Sequence, residues 1–155
     1  MTRLQIETQI KAPIELCFDL ARDVEAHTES AAFSSERLVE PGRLQGLLEE
    51  GDLIAFEGVH FGFRQRFVAR IVEMRRPVVF VDEMVHGAFR TMRHIHAFER
   101  SGEGTLMRDT LEWEAPLGFL GRLADHLFLR RHLESFVRRK QDALRRLAEK
   151  EVQNF

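Results

Sequence analysis

The chain has no tyrosine, one cysteine (Cys17), one asparagine (Asn154) and only three lysines (Lys11, Lys140 and Lys150) against twenty arginines. Each shortage excludes something. Without a phenol, no step can draw on a tyrosine proton. A lone cysteine forms no internal disulfide, which fits a reducing compartment. Two of the lysines lie in a charged C-terminal stretch and the third beside a strand end, so Schiff-base catalysis is not expected. No apolar run approaches the roughly 18 residues of a membrane span. Met1 to Glu7 lacks the apolar core of a signal peptide. The expectation is a cytoplasmic protein with no stable membrane insertion. A net charge of −2 gives no footing for counterion release, so nucleic acid is not an expected partner. Acid–base chemistry is left to seven histidines, the carboxylates, and arginine as an electrostatic partner.

What is present is apolar residue in quantity: 44% of 155 positions are hydrophobic, including thirteen phenylalanines. One domain spanning 1–155 is expected, large enough to bury about 70% of its unfolded surface without staples.

Leu4, Ile6, Thr8 and Ile10 alternate with polar neighbours, the mark of a half-buried strand. Pro13 suits the start of a helix carrying Ile14, Cys17, Phe18 and Ala21, with Cys17 a packing residue. Asp23 can cap a second short helix that carries His27. Residues 31–51 read as loop, with a short strand near Arg37–Val39. Leu53–His60 and Phe63–Glu73 flank a turn at Phe61-Gly62. Val78–His86 and Phe89–Arg100 flank Gly87-Ala88, and Thr105–Glu114 follows Ser101–Gly104. Connections this short favour an antiparallel meander. From Phe119 to Lys150 a single helix of about 45 Å is expected, at 1.5 Å per residue. The class is α+β, a helix laid across a curved antiparallel sheet.

In the last hairpin, a two-residue loop sets His94 opposite Asp109, whereas a four-residue loop sets His96 there. In either register the histidines share a face with Thr105, Met107, Asp109, Leu111 and Trp113, and that face reads as inward. Two readings stand: a polar anchor or acid–base pair inside a pocket, or a satisfied buried cluster that fixes strand register. His-x-His with His60 or Asp109 could also ligate a metal. No cysteine pair or fixed third ligand supports this, so neither metal nor cofactor is expected. The Phe61-Gly62 hairpin gathers Ile54, Phe56, Gly58, His60, Phe63, Gln65, Phe67 and Ala69 on an inner face, with Arg64, Arg66 and Arg70 outside. Gly58 marks either room for a ligand or a bulge. A two-residue turn at Gly87-Ala88 would put Asp82 opposite Arg93, although one extra residue flips the face.

On the long helix, Phe119, His126, Leu129, Leu133, Phe136, Val137, Ala143, Leu144 and Leu147 form one arc, broken by Arg122 and Lys140. A second stripe, Leu120, Leu123, Leu127 and Phe128, must line a ligand, be buried, or meet a partner; a homodimer is one such arrangement. The pairs Arg130–Glu134, Arg138–Asp142 and Arg145–Glu149 are expected on the solvated face.

Certain runs, in order, resemble the SRPBCC superfamily of START-related lipid-binding domains, polyketide cyclases/dehydrases and coenzyme Q-binding proteins. They are Lys11-Ala12-Pro13-Ile14-Glu15-Leu16-Cys17-Phe18-Asp19-Leu20, His27-Thr28-Glu29-Ser30, Gly51-Asp52, His60-Phe61-Gly62, Phe80-Val81-Asp82-Glu83-Met84, Gly87-Ala88-Phe89, His94-Ile95-His96-Ala97-Phe98, Gly104-Thr105-Leu106-Met107-Arg108-Asp109 and Ala115-Pro116-Leu117-Gly118. Uncharacterised bacterial cyclase/dehydrase-like proteins are nearer still. The resemblance implies a helix-grip fold: about seven antiparallel strands around a long C-terminal helix, with a hydrophobic cavity between.

The expected function is binding of a lipid, isoprenoid or aromatic molecule. Phe56, Phe67, Met107, Leu111, Trp113, Leu123 and Leu127 would line the cavity. His94, His96 and Asp109 would hold the ligand's polar end, and His60 would sit at the rim. The alternative is a cyclase/dehydratase-like enzyme in which His94 or His96 takes a proton and Asp109 orients the ring.

Overall fold

Period-two alternation and turn glycines produce the strands β1 (Thr2–Ile10), β2 (Arg37–Leu38), β3 (Leu53–His60), β4 (Phe63–Arg75), β5 (Val79–His86), β6 (Thr91–Ser101) and β7 (Gly104–Glu114). Between β1 and β2 run the helices α1 (Ile14–Arg22) and α2 (Val24–Ser30); α3 (Gly118–Ala124), a π-helical turn (Asp125–Leu129) and α4 (Arg130–Gln153) follow β7. The computed structural model describes residues 1–60 and 62–154, and only the backbone of 125 and 126. Phe61 of the expected turn and the His126 side chain of the expected arc lie outside the described residues.

All seven strands form one antiparallel sheet in the order β1-β7-β6-β5-β4-β3-β2, so the last strand closes back on the first. The fold class is the one expected, α+β with a curved sheet around a C-terminal helix. Asp23 caps α2 by accepting from the backbone N–H groups of Glu25 and Ala26. Inside, Phe18 stacks edge-on to Phe80 and Phe98, and Trp113 packs with Leu4, Ile6, Leu111 and Val137.

Four expectations need correction. The Gly87-Ala88 connection is longer than two residues, since β5 ends at His86 and β6 begins at Thr91. Asp82 therefore lies opposite His94, and Arg93 lies opposite Glu83, at 3.8 Å. The single C-terminal helix is interrupted by the π turn between α3 and α4. Phe119 leaves the expected inward arc and is 74% exposed. Phe63, at the start of β4, is 72% exposed instead of inward. On α4 the ion pairs among the described residues are Glu134–Arg138 at 3.0 Å, Arg145 with Asp142 at 3.8 Å and Arg145 with Glu149 at 3.7 Å, while Arg130 donates to the carbonyl of Arg3. The glutamate-first order of Glu134–Arg138 is the one a helix favours.

The buried face of α4 is Val137, Gln141, Leu144 and Ala148, one residue per turn. Gln141 ties the helix to the sheet: its amide donates to the carbonyl of Ile6 and to Asp109, and it accepts from the Thr8 hydroxyl. In the other hairpin, Gly58 has a specific task. A Cβ there would lie 2.8 Å from Glu36 Cγ, so the missing side chain lets the segment before β2 lie against β3.

Candidate functional site

Among the described residues, two adjoining hollows lie between the inner face of the sheet and α4. The larger, about 170 Å³, is walled by Phe56, Phe67, Leu111, Leu133 and Phe136 among others. The smaller, about 30 Å³, runs inward past Ser30, Met107 and Gln141. His27, His94, Val137 and Lys140 line both, so they form the partition between them.

Behind the partition sits a fully hydrogen-bonded ionic cluster. The four-residue alternative for the last hairpin is the one formed: Ser101 pairs with Gly104 and His96 lies opposite Asp109. The inner face of β7 then carries Asp109 beneath both imidazoles. Asp109 Oδ1 is 2.8 Å from His94 Nε2 and 3.0 Å from His96 Nδ1. The other His96 nitrogen, Nε2, is 2.9 Å from Asp82 Oδ2. His96 is sandwiched between the rings of Phe80, at 4.1 Å, and His94, at 3.7 Å.

The electrostatics divide the labour between the histidines. Burial works against charge on His96, but its hydrogen bonds to Asp109 and Asp82 outweigh that and raise its pKa. Burial, reinforced by the charge of His96, lowers the pKa of His94 despite the bond to Asp109. Burial likewise favours protonated Asp109, yet the hydrogen bonds from His94 and His96 hold its carboxyl well below the usual range. The cluster thus favours the proton on His96, between two carboxylates, over one on His94, which donates to Asp109.

Opposite the cluster, Lys140 of α4 reaches into the partition. Its Nζ lies 2.9 Å from Nδ1 and 2.7 Å from Nε2 of His27, whose ring stacks on Phe56. Burial pushes both pKa values down, that of His27 well below its ordinary value. At the outer end, Glu36, His60 and His132 form a chain, with His60 at 3.1 Å from Glu36 Oε1 and 3.0 Å from His132 Nε2.

Asp82, His94 and His96 also bring three potential metal ligands together. The two rings lie nearly parallel, at 29°, so their lone pairs run side by side instead of converging. Both His96 nitrogens already face carboxylates at hydrogen-bond distance. The donor set suits protons better than a cation.

Of the residues singled out from sequence, Phe56, Phe67, His60, His94 and Leu111 line the larger hollow, and His94, His96, Met107 and Asp109 the smaller. Trp113 is fully buried in the core beside Leu111 and lines neither. Leu123 and Leu127 line neither hollow and are 48% and 49% exposed. Sequence reasoning missed His27, Glu36, Asp82, His132 and Lys140 as site residues. Lys140 had left a signal: it is one of two cations, with Arg122, that interrupt the apolar arc.

No family model and no curated protein matches this sequence. Solved structures do. TTHA0849 of Thermus thermophilus has a TM-score of 0.76 at 21% identity, over 94% of this chain and 95% of that one. CV1439 of Chromobacterium violaceum has a TM-score of 0.72 at 12% identity, over 95% and 96%. Major latex-like protein 151 of Panax ginseng has a TM-score of 0.65 at 14% identity, over 95% and 97%. Agreement across nearly the whole of each chain identifies the architecture: this chain has the helix-grip fold.

Proposed function

We propose that the protein is a cytoplasmic binding protein for a compact apolar molecule bearing one polar group, held in the larger hollow. The observation that carries this is the make-up of that space: aromatic and aliphatic walls between two polar ends, with His27, His94 and Lys140 at the inner one and Glu36, His60 and His132 at the outer one. Apolar burial at about 25 cal/mol per Å² supplies affinity, and a few fixed polar groups supply orientation. Size narrows the ligand. A dry cavity of about 150 Å³ takes a benzene ring, so a hollow of about 170 Å³ suits an aromatic ring or one end of a longer chain. Native mass spectrometry of protein released gently from cells should show a fraction carrying an apolar small molecule, lost on mild activation. Protein that carries none, and takes up none from a panel of apolar alcohols, would contradict the proposal.

A second reading has one observation in its favour. His94 is neutral, lines both hollows and is oriented by Asp109, as a general base would be. In a cyclase/dehydratase-like enzyme, His94→Gln would abolish turnover while ligand binding persisted; equal loss of both would favour binding alone.

A further inference from the structure

Lys140 is a primary amine set among apolar walls, where a cation ordinarily faces a carboxylate. Among the described residues, its hydrogen-bond partner is the His27 ring. The carboxylates of Asp109, Glu36 and Asp82 act on it only through their field. Asp109 and Asp82 are already engaged by His94 and His96, and Glu36 by His60. Lys140 also lines both hollows, so its amine meets whatever occupies the larger one. The other lysines, Lys11 and Lys150, are exposed.

Such an amine could meet two kinds of polar ligand end. A ligand carboxylate would add a third anion beside Asp109 and Asp82 in a low-dielectric space, which is costly. A neutral carbonyl adds none. Burial also favours the unprotonated, nucleophilic amine.

We infer, building on the binding function proposed above, that Lys140 captures an aldehyde or ketone group of the apolar ligand as a reversible imine. The lone pair of Nζ adds to the carbonyl carbon, and a C–N bond forms as the carbonyl π pair moves to oxygen. One amine proton passes to that oxygen, giving a carbinolamine. The C–O bond then breaks, the second amine proton leaves with the oxygen as water, and a C=N bond remains. No oxidant or reductant is consumed. The neutral imidazole of His27, within 2.9 Å of Nζ, is in reach to carry both protons from nitrogen to oxygen.

The test uses the intact protein with benzaldehyde, whose ring matches the hollow, and cyanoborohydride as the trap. Peptide mapping should find one addition, of the aldehyde's mass less one oxygen, on Lys140. It should form about ten-fold faster than on Lys11, Lys150 or the Met1 amine, as expected for an amine held beside bound carbonyl. Benzyl alcohol, which has the same ring without the carbonyl, should compete. Lys140→Arg carries no primary amine at this position, so it should lose the adduct; benzyl alcohol binding is read separately on the wild-type protein by saturation-transfer NMR. Wild-type labelling spread evenly over all amines, or untouched by benzyl alcohol, would overturn the imine; benzyl alcohol binding would then leave the binding function standing. No adduct and no benzyl alcohol binding would overturn both.

Discussion

Asp109 is the residue on which the inner cluster converges, accepting from His94 and Gln141 and facing His96. Removing one partner of a buried ionic group costs about 3–5 kcal/mol, because the charge left behind is uncompensated. Asp109→Ala should therefore lower unfolding free energy by that amount in urea denaturation; a loss under about 1 kcal/mol would contradict the assigned network. The histidines should also titrate in a fixed order. His96 binds its proton more tightly folded than unfolded, so its stabilisation is complete below the ordinary histidine pKa of 6.5 and is lost as pH rises through the raised folded value. His27 and His94 have lowered values, so their contribution is present above 6.5 and is lost as pH falls. Imidazole NMR should show His96 losing its proton last of the three as pH rises, and Asp82→Asn should bring its midpoint down. His96 losing its proton before His94 would refute the charge assignment. The sequence showed the facing of His94, His96 and Asp109, because period two fixes which residues share a face. It could not show Asp82 joining them, since that depends on a single residue of turn length.

At the scale of elements, strand bounds were legible where alternation and glycine turns coincided: Leu53–His60 is unchanged and Thr105–Glu114 differs by one residue. Helix content after Phe119 was legible too, but the π turn was not, because apolar spacing there fits either one continuous helix or two offset pieces. That ambiguity is why Leu123 and Leu127 were expected in the cavity. Contacts between distant segments, such as Glu36 with His60, leave no periodic trace at all. Gly58 is the residue that permits this one. Gly58→Ala would drive a Cβ against Glu36 Cγ and to within 3.3 Å of Glu36 Cα, so side-chain rotation alone does not relieve it. We expect a loss of about 1–3 kcal/mol in thermal or urea unfolding, typical of overpacking. His60 and Glu36 resonances should shift with it. An unchanged stability and spectrum would mean that the segment does not rest on β3.

For the whole molecule, the arrangement is a sheet that grips a helix and leaves polar groups at the deep end of a greasy space. The exposed stripe of Leu120, Leu123, Leu127 and Phe128 stands outside that space. Replacing Leu123 and Leu127 together by serine should change unfolding free energy by no more than about 0.5 kcal/mol, as for surface substitutions. A larger loss would show that these leucines are buried in solution. The central claim is that the hollow between β3, β4, β7 and α4 receives an apolar ligand, and the most direct measurement is NMR shift mapping during a titration with benzyl alcohol. Saturable shifts should concentrate at Phe56, Phe67, His94, Leu111, Val137 and Lys140, leaving the Leu120 stripe unmoved. Shifts confined to that outer stripe, or none that saturate, would contradict it.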